Sequence, residues 1–253
     1  MSNVKYVLHK ARALAHAIGM PLVLSCALFL PVIGHADTTY DYFRAVALDN
    51  QFEVASLLKK GVSPNLTEAK RGDSGLIYAL REDSMQVFKL LLNAPRVDLG
   101  LRAKNGDDAL MIAAWKENLP AVKALLERGV EVNRDGWTAL HYAAAKGNNE
   151  IVQLLLDQQA EIDAESPSQI TPLMMAAQAG HIYTVKLLYD AGADITLEDE
   201  HGRTAITFAT YGGHDDIVKG LKYLLSKANQ KATVQPAPMS SQMLLPARLP
   251  PMD

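Results

Sequence analysis

Thr138-Ala139-Leu140-His141-Tyr142-Ala143-Ala144 decides the fold, because the chain writes it again. It returns 33 residues later as Thr171-Pro172-Leu173-Met174-Met175-Ala176-Ala177 and, after another 33, as Thr204-Ala205-Ile206-Thr207-Phe208-Ala209-Thr210. Each copy leads through a turn into a second apolar stretch: Ile151-Val152 with Leu154-Leu155-Leu156, Val185 with Leu187-Leu188, and Ile217-Val218 with Leu221. Self-similarity at a fixed period of this length marks a solenoid. A solenoid offers a surface more readily than a pocket, so the functional question is what it binds.

The physics of one unit leads to the same shape. Ala139, Leu140, Ala143 and Ala144 follow i, i+1, i+4, i+5 spacing and form one helical face. The preceding Thr can cap the helix through its hydroxyl. Pro172 stands at the first helical position, where its missing N–H costs nothing. Gly147, Gly180 and Gly212-Gly213 supply the turn into a second helix, whose stripe is Ile151, Val152, Leu155 and Leu156 in the central unit. One helix pair cannot bury both stripes alone, so neighbours must stack.

The pattern continues upstream. Asp108-Ala109-Leu110-Met111-Ile112-Ala113-Ala114 leads to Leu125-Leu126, Ser74-Gly75-Leu76 to Leu90-Leu91-Leu92, and Phe43-Arg44-Ala45-Val46 to Leu57-Leu58. Six units are predicted, near 40–73, 74–107, 108–137, 138–170, 171–203 and 204–230. Tyr40, Tyr42 and Phe43 at one end, and Lys219, Lys222 and Lys227 at the other, read as capping substitutions where a terminal face meets water.

The units resemble the ankyrin repeat family, whose consensus has T-P-L-H-x-A-A, then G-H, I-V, L-L and G-A-D-x-N. The fullest match is Thr171-Pro172-Leu173, Ala176-Ala177, Gly180-His181, Leu187-Leu188 and Gly192-Ala193-Asp194. The resemblance covers nearly everything from Tyr40 to Lys227. It implies an all-α solenoid of six helix-turn-helix repeats with short β-hairpin fingers, and a protein partner held on the concave side.

Residues 1–36 read as an export signal. Lys5, Lys10 and Arg12 form a basic start, Ile18 to Ile33 is apolar, and Gly34-His35-Ala36 fits small-x-small cleavage. A retained inner-membrane anchor facing the periplasm and lipidation at Cys26 stay open beside cleavage. All three readings put the repeats in the periplasm, as an exported bacterial protein, with no membrane insertion after cleavage. Cys26 is the only cysteine, so the repeats hold no disulfide. The chain carries a net charge of −3, and losing the three basic residues of the signal leaves about −6. That acidic balance speaks against nucleic acid as a partner. Residues 231–253, with Pro236, Pro238, Pro246, Pro250 and Pro251, read as a disordered Pro-rich tail carrying one apolar spot, Met243-Leu244-Leu245.

No catalytic, cofactor or metal constellation stands out. His141 falls at the T-P-L-H position, where ankyrin histidines bond backbone between units, and His181 and His214 fall at the G-H position. His201 lies beside Asp199 and Glu200, but one turn supplies too few converging ligands. No P-loop, G-x-S-x-G, H-E-x-x-H or G-x-G-x-x-G occurs. The expectation is a non-enzymatic monomer without cofactor or metal. Asn65-Leu66-Thr67 matches a glycosylation sequon, a weak signal.

The resemblance implies where a partner would sit: the exposed positions after Ala-Ala on each first helix, and the finger residue just before each capping residue. Carried over position by position, these include Arg81 and Glu82, Trp115 and Lys116, Lys146, Gln178 and Tyr211, with Asp107, Trp137, Ile170 and Arg203 on the fingers. Both tryptophans fall on this face in adjacent units and should lie near each other. They form either a binding hot spot or a piece of local core. The third unit is three residues short between Asn133 and Gly136, which predicts a notch beside Trp137. The role could be that of an immunity or inhibitor protein for a secreted toxin, or an accessory factor for a stress enzyme such as catalase; a neighbouring toxin or catalase gene would separate these.

Overall fold

The computed structural model describes residues 35–234; the expected signal segment up to 34, Cys26, and the tail from 235 onward lie outside the described residues. Among the described residues the elements are twelve helices in six antiparallel pairs. The first helices are α1 (His35–Ala47), α3 (Gly75–Arg81), α5 (Ala109–Trp115), α7 (Ala139–Lys146), α9 (Pro172–Ala179) and α11 (Ala205–Gly212). The second helices are α2 (Gln51–Lys59), α4 (Met85–Leu92), α6 (Leu119–Glu127), α8 (Asn149–Asp157), α10 (Ile182–Asp190) and α12 (Asp215–Val234). The last helix runs to Val234, into the stretch expected to open the tail at 231.

Local sequence fixes where each helix starts. Ser74, Asp108, Thr138, Thr171 and Thr204 are the N-caps of the first helices from the second unit on, in steps of 34, 30, 33 and 33 residues. Asp108 Oδ1 accepts the Met111 N–H at 2.9 Å. Asn118 and Asn148 cap second helices in the same manner, at 3.0 Å each. Ser84 makes no side-chain cap to α4; there Asp49 Oδ1, one unit earlier, accepts the N–H groups of Gln86 and Val87 at 2.9 Å. A cap borrowed from the neighbour ties the first two units together.

Small residues set the spacing of the first helices. Ala113, Ala114, Ala143, Ala144, Ala176, Ala177 and Ala209 are all buried, so the backbones approach closely. One hydrophobic core runs from Tyr42 to Leu221 through every unit. Gly147 ends α7 at φ +73, and a Cβ there would stand 2.4 Å from the His181 ring. Only glycine meets both demands. At the N-terminal end Tyr42 is buried against Gly75, closing the first unit on the second. Phe43 is buried with it, while Tyr40 faces solvent.

The fingers carry less strand than the expected β-hairpins. Three are tight turns closed by backbone bonds such as Ala103 N–H to Asp107 O at 2.8 Å and Ser166 N–H to Ile170 O at 3.0 Å. Among the described residues one isolated antiparallel bridge, Thr67 with Ser74, is the only strand-like pairing. Turns this short leave no room for a ladder.

Candidate functional site

The site lies on the face made by the first helices and fingers, at the junction of the third, fourth and fifth units. Trp115 ends α5 and is 45% exposed, which makes it a surface ring. Trp137 stands before the Thr138 cap and is half-buried. Tyr142, on the outward side of α7, joins them. Its ring meets Trp115 edge-on at 5.8 Å and Trp137 at 6.5 Å. The expected proximity of the tryptophans is therefore arranged through a tyrosine.

Trp115, Trp137, Tyr142, His141 and Met175 line a hollow of about 230 Å³ beside the shortened third finger, where the sequence predicts a notch. Lys146 Nζ lies 5.1 Å from the Trp115 centroid, a cation–π contact, and is 3.2 Å from Glu117.

His141 forms the floor and is buried. Its Nδ1 faces two donors, the Thr138 N–H at 3.2 Å and hydroxyl at 2.9 Å, while its Nε2 lies 2.8 Å from the Ile170 carbonyl oxygen. A carbonyl only accepts, so Nε2 carries the hydrogen and the ring is neutral. Burial pushes its pKa down to about 4. The bond ties the first helix of the fourth unit to the finger that closes the same unit, where the resemblance implied a bond between units. His181 and His214 do bond between units, to the carbonyls of Ala145 and Gln178 at 3.1 Å.

A polar chain supports the hollow from the other side. The Tyr142 hydroxyl donates to Asp107 Oδ1, Arg81 donates to Asp107 Oδ2 at 2.8 Å, and Arg81 Nε lies 3.0 Å from Asp73 Oδ2. Asp73 and Asp107 are buried, each one residue before a cap, in the column that Trp137 occupies before the Thr138 cap. Burial and the Asp107 carboxylate drive the Tyr142 phenol pKa well above its ordinary value.

The remaining expected site residues divide. Lys116 is committed to the neighbouring unit, 2.7 Å from Asp83 and donating to the Arg81 carbonyl at 3.0 Å. Arg203 Nε donates to Asp199 at 2.7 Å and its guanidinium lies over Phe208 at 5.2 Å; that pairing holds the Asp199 carboxyl down to about 2. Ile170 is half-buried and packs on the core. Gln178 and Tyr211 are exposed further along the row of first helices, Tyr211 at 67%. The structure thus gathers Trp115, Trp137 and Lys146 at the hollow and ties Lys116 and Arg203 into internal pairs. Asp107 and Arg81 stand at expected partner-face positions but are tied into the polar chain, whereas Tyr142 and Met175 are site residues that the spacing did not single out.

The sequence profile for ankyrin repeats (3 copies) matches the chain in overlapping windows, 43–135, 85–166, 129–199 and 161–236. The chain belongs to the ankyrin repeat family. Its ankyrin units are 37% identical over 124 residues to mouse (Mus musculus) Ankyrin repeat and SAM domain-containing protein 6, covering 46% of this chain and 14% of that protein. They are 32% identical over 139 residues to human (Homo sapiens) Transient receptor potential cation channel subfamily A member 1, covering 50% and 12%. Mouse Protein fem-1 homolog A-like is 36% identical over 124 residues, covering 48% and 19%. These matches span less than a fifth of each relative, so the likeness is one of ankyrin units. Among the described residues no group of three or more His, Cys, Asp or Glu is placed to hold a metal, and no helix is long and apolar enough to cross a membrane.

Proposed function

We propose that the chain is a non-catalytic protein-interaction module. It holds a folded partner on the first-helix and finger face, the concave side of ankyrin arrays, centred on the hollow of Trp115, Tyr142 and Trp137. The observation that carries this reading is the exposed Trp115 ring at the lip of an aromatic hollow, propped by Tyr142 and Lys146. An indole left in water at the edge of a cavity can bury its remaining area on contact, the behaviour of a binding hot spot. The basic start, apolar run and Gly34-His35-Ala36 of the N-terminal segment support action in the periplasm.

The test is a side-by-side pull-down from envelope extract with wild type and the Trp115→Ala/Trp137→Ala double variant. A partner retained by wild type and lost by the folded double variant supports the proposal. Equal retention by both moves the binding surface elsewhere.

A further inference from the structure

We infer that the outer groove between α10 and α12 is a docking site for the chain's own Met243-Leu244-Leu245 segment. This stands independently of the binding face proposed above, since it concerns the opposite row of helices.

The groove, about 230 Å³, is walled by Val185 and Tyr189 of α10 and by Leu221, Tyr223 and Leu224 of α12, with Asp216 among its lining residues. Gly220 opens it. Counted from the residue that precedes each second helix (Asn148, His181, His214), the sixth position is Leu154 in α8, Leu187 in α10 and Gly220 in α12. Leu154 and Leu187 pack on the core. A Cβ on Gly220 would meet nothing within 4 Å, so no neighbour demands a glycine there. Glycine inside a helix weakens it. Here its one structural effect is an empty slot where the repeat places a leucine. Ile182 and Tyr223 of the lining are exposed, as is Tyr183 beside Ile182, while the Lys186–Asp190 pair lies at the groove's margin.

The candidate occupant leaves the same helix. From Leu224 to the end of α12 at Val234 is ten residues, about 15 Å of helix. Residues 235–243 can span up to about 30 Å, enough to turn back along α12 and bring the apolar triplet to the slot. Pro236 and Pro238 follow Val234 in the sequence, and proline disfavours a helix interior, which suits a reversal. Leu244 or Leu245 would take the place that Leu154 and Leu187 hold in the units before. Arg248, three residues past Leu245, complements Asp216 in charge. A short tether gives the segment a millimolar effective concentration, so weak apolar contact suffices.

Hydrogen exchange read by mass spectrometry on the full chain tests this. Amides of 243–245 should exchange about ten-fold more slowly in wild type than in a Leu244→Asp/Leu245→Asp variant, independently of protein concentration. Gly220→Leu, which fills the slot, should abolish the protection while leaving the helical circular dichroism intact. Unprotected exchange in wild type overturns the inference. So does protection that survives either substitution in a folded chain. Protection that grows with concentration would assign the groove to a second copy and overturn it as well. Should Gly220→Leu fail to fold, the aspartate variant, whose changes lie outside the repeats, decides alone.

Discussion

The Tyr142 hydroxyl donates a 2.6 Å hydrogen bond to Oδ1 of Asp107, the residue that closes the second unit. That bond fixes the ring that both tryptophans lean on. Tyr142→Phe should lower stability by about 2 kcal/mol in chemical denaturation, the magnitude of a bond to a charged acceptor. A second consequence concerns pH. The folded-state pKa of the Tyr142 phenol, like that of Tyr42, is raised, in both cases first by burial. The unfolded chain therefore releases these protons first, and stability falls as pH rises past about 10. Tyr142→Phe should flatten that alkaline slope.

Arg81 lies between two buried carboxylates, 3.0 Å from Asp73 and 2.8 Å from Asp107. Arg81→Met keeps the stem and removes the charge. Asp73 would keep Arg71 Nε at 2.8 Å, but Asp107 would lose its one cation partner among the described residues. We expect a loss of about 3 kcal/mol, measured by urea unfolding, because an uncompensated buried charge costs more than an exposed one. A loss under 1 kcal/mol would show that water reaches both carboxylates.

His141 makes stability sensitive to acid. Its pKa is about 4 in the fold against an ordinary 6.5, so between these values the unfolded chain binds the proton first. The contribution is fully present above pH 6.5 and is lost as pH falls through 4. The shift corresponds to about 3 kcal/mol. Denaturant midpoints measured from pH 7 to 4 should fall accordingly. His141→Leu should start lower at pH 7 and show a shallower decline.

The two tryptophans should separate. Trp115 is 45% exposed, and Trp115→Ala should cost under about 1 kcal/mol of stability. Trp137 is half-buried and packs edge-on against His141 at 5.1 Å, so Trp137→Ala should cost about 2 kcal/mol. Thermal unfolding of the single variants checks both. Against a bound partner, Trp115→Ala should weaken affinity by about 2 kcal/mol. Hot spot and local core are then one reading for each ring.

The helices were legible in the sequence because each unit repeats its own cap, turn and stripe. Five N-caps and the short third unit follow from spacing, and the ankyrin resemblance implied that His141 bonds backbone, as it does. The site was half legible. Trp115 and Trp137 stand in the columns flanking each first helix, and those columns were read. Tyr142 and Met175 stand four residues after their caps, in a column that also holds Tyr78 and Phe208. Large residues there signal a ridge along the binding face, but helical periodicity alone assigns them to neither core nor surface. The pairings of Lys116 with Asp83 and of Lys146 with Glu117 join residues 33 and 29 apart. Only the rotation between successive units brings such partners together, and a linear pattern does not encode that rotation.

The most direct measurement is site-specific photo-crosslinking in cells, with p-benzoylphenylalanine placed singly at Trp115, Tyr211 and Lys123. Trp115 and Tyr211 are exposed on the first-helix face, and Lys123 is exposed on α6 of the outer row. Discrete adducts of one mass from positions 115 and 211, and none from 123, are the predicted result. Adducts from position 123 with none from the other two would contradict a partner held on the Trp115–Tyr142–Trp137 face.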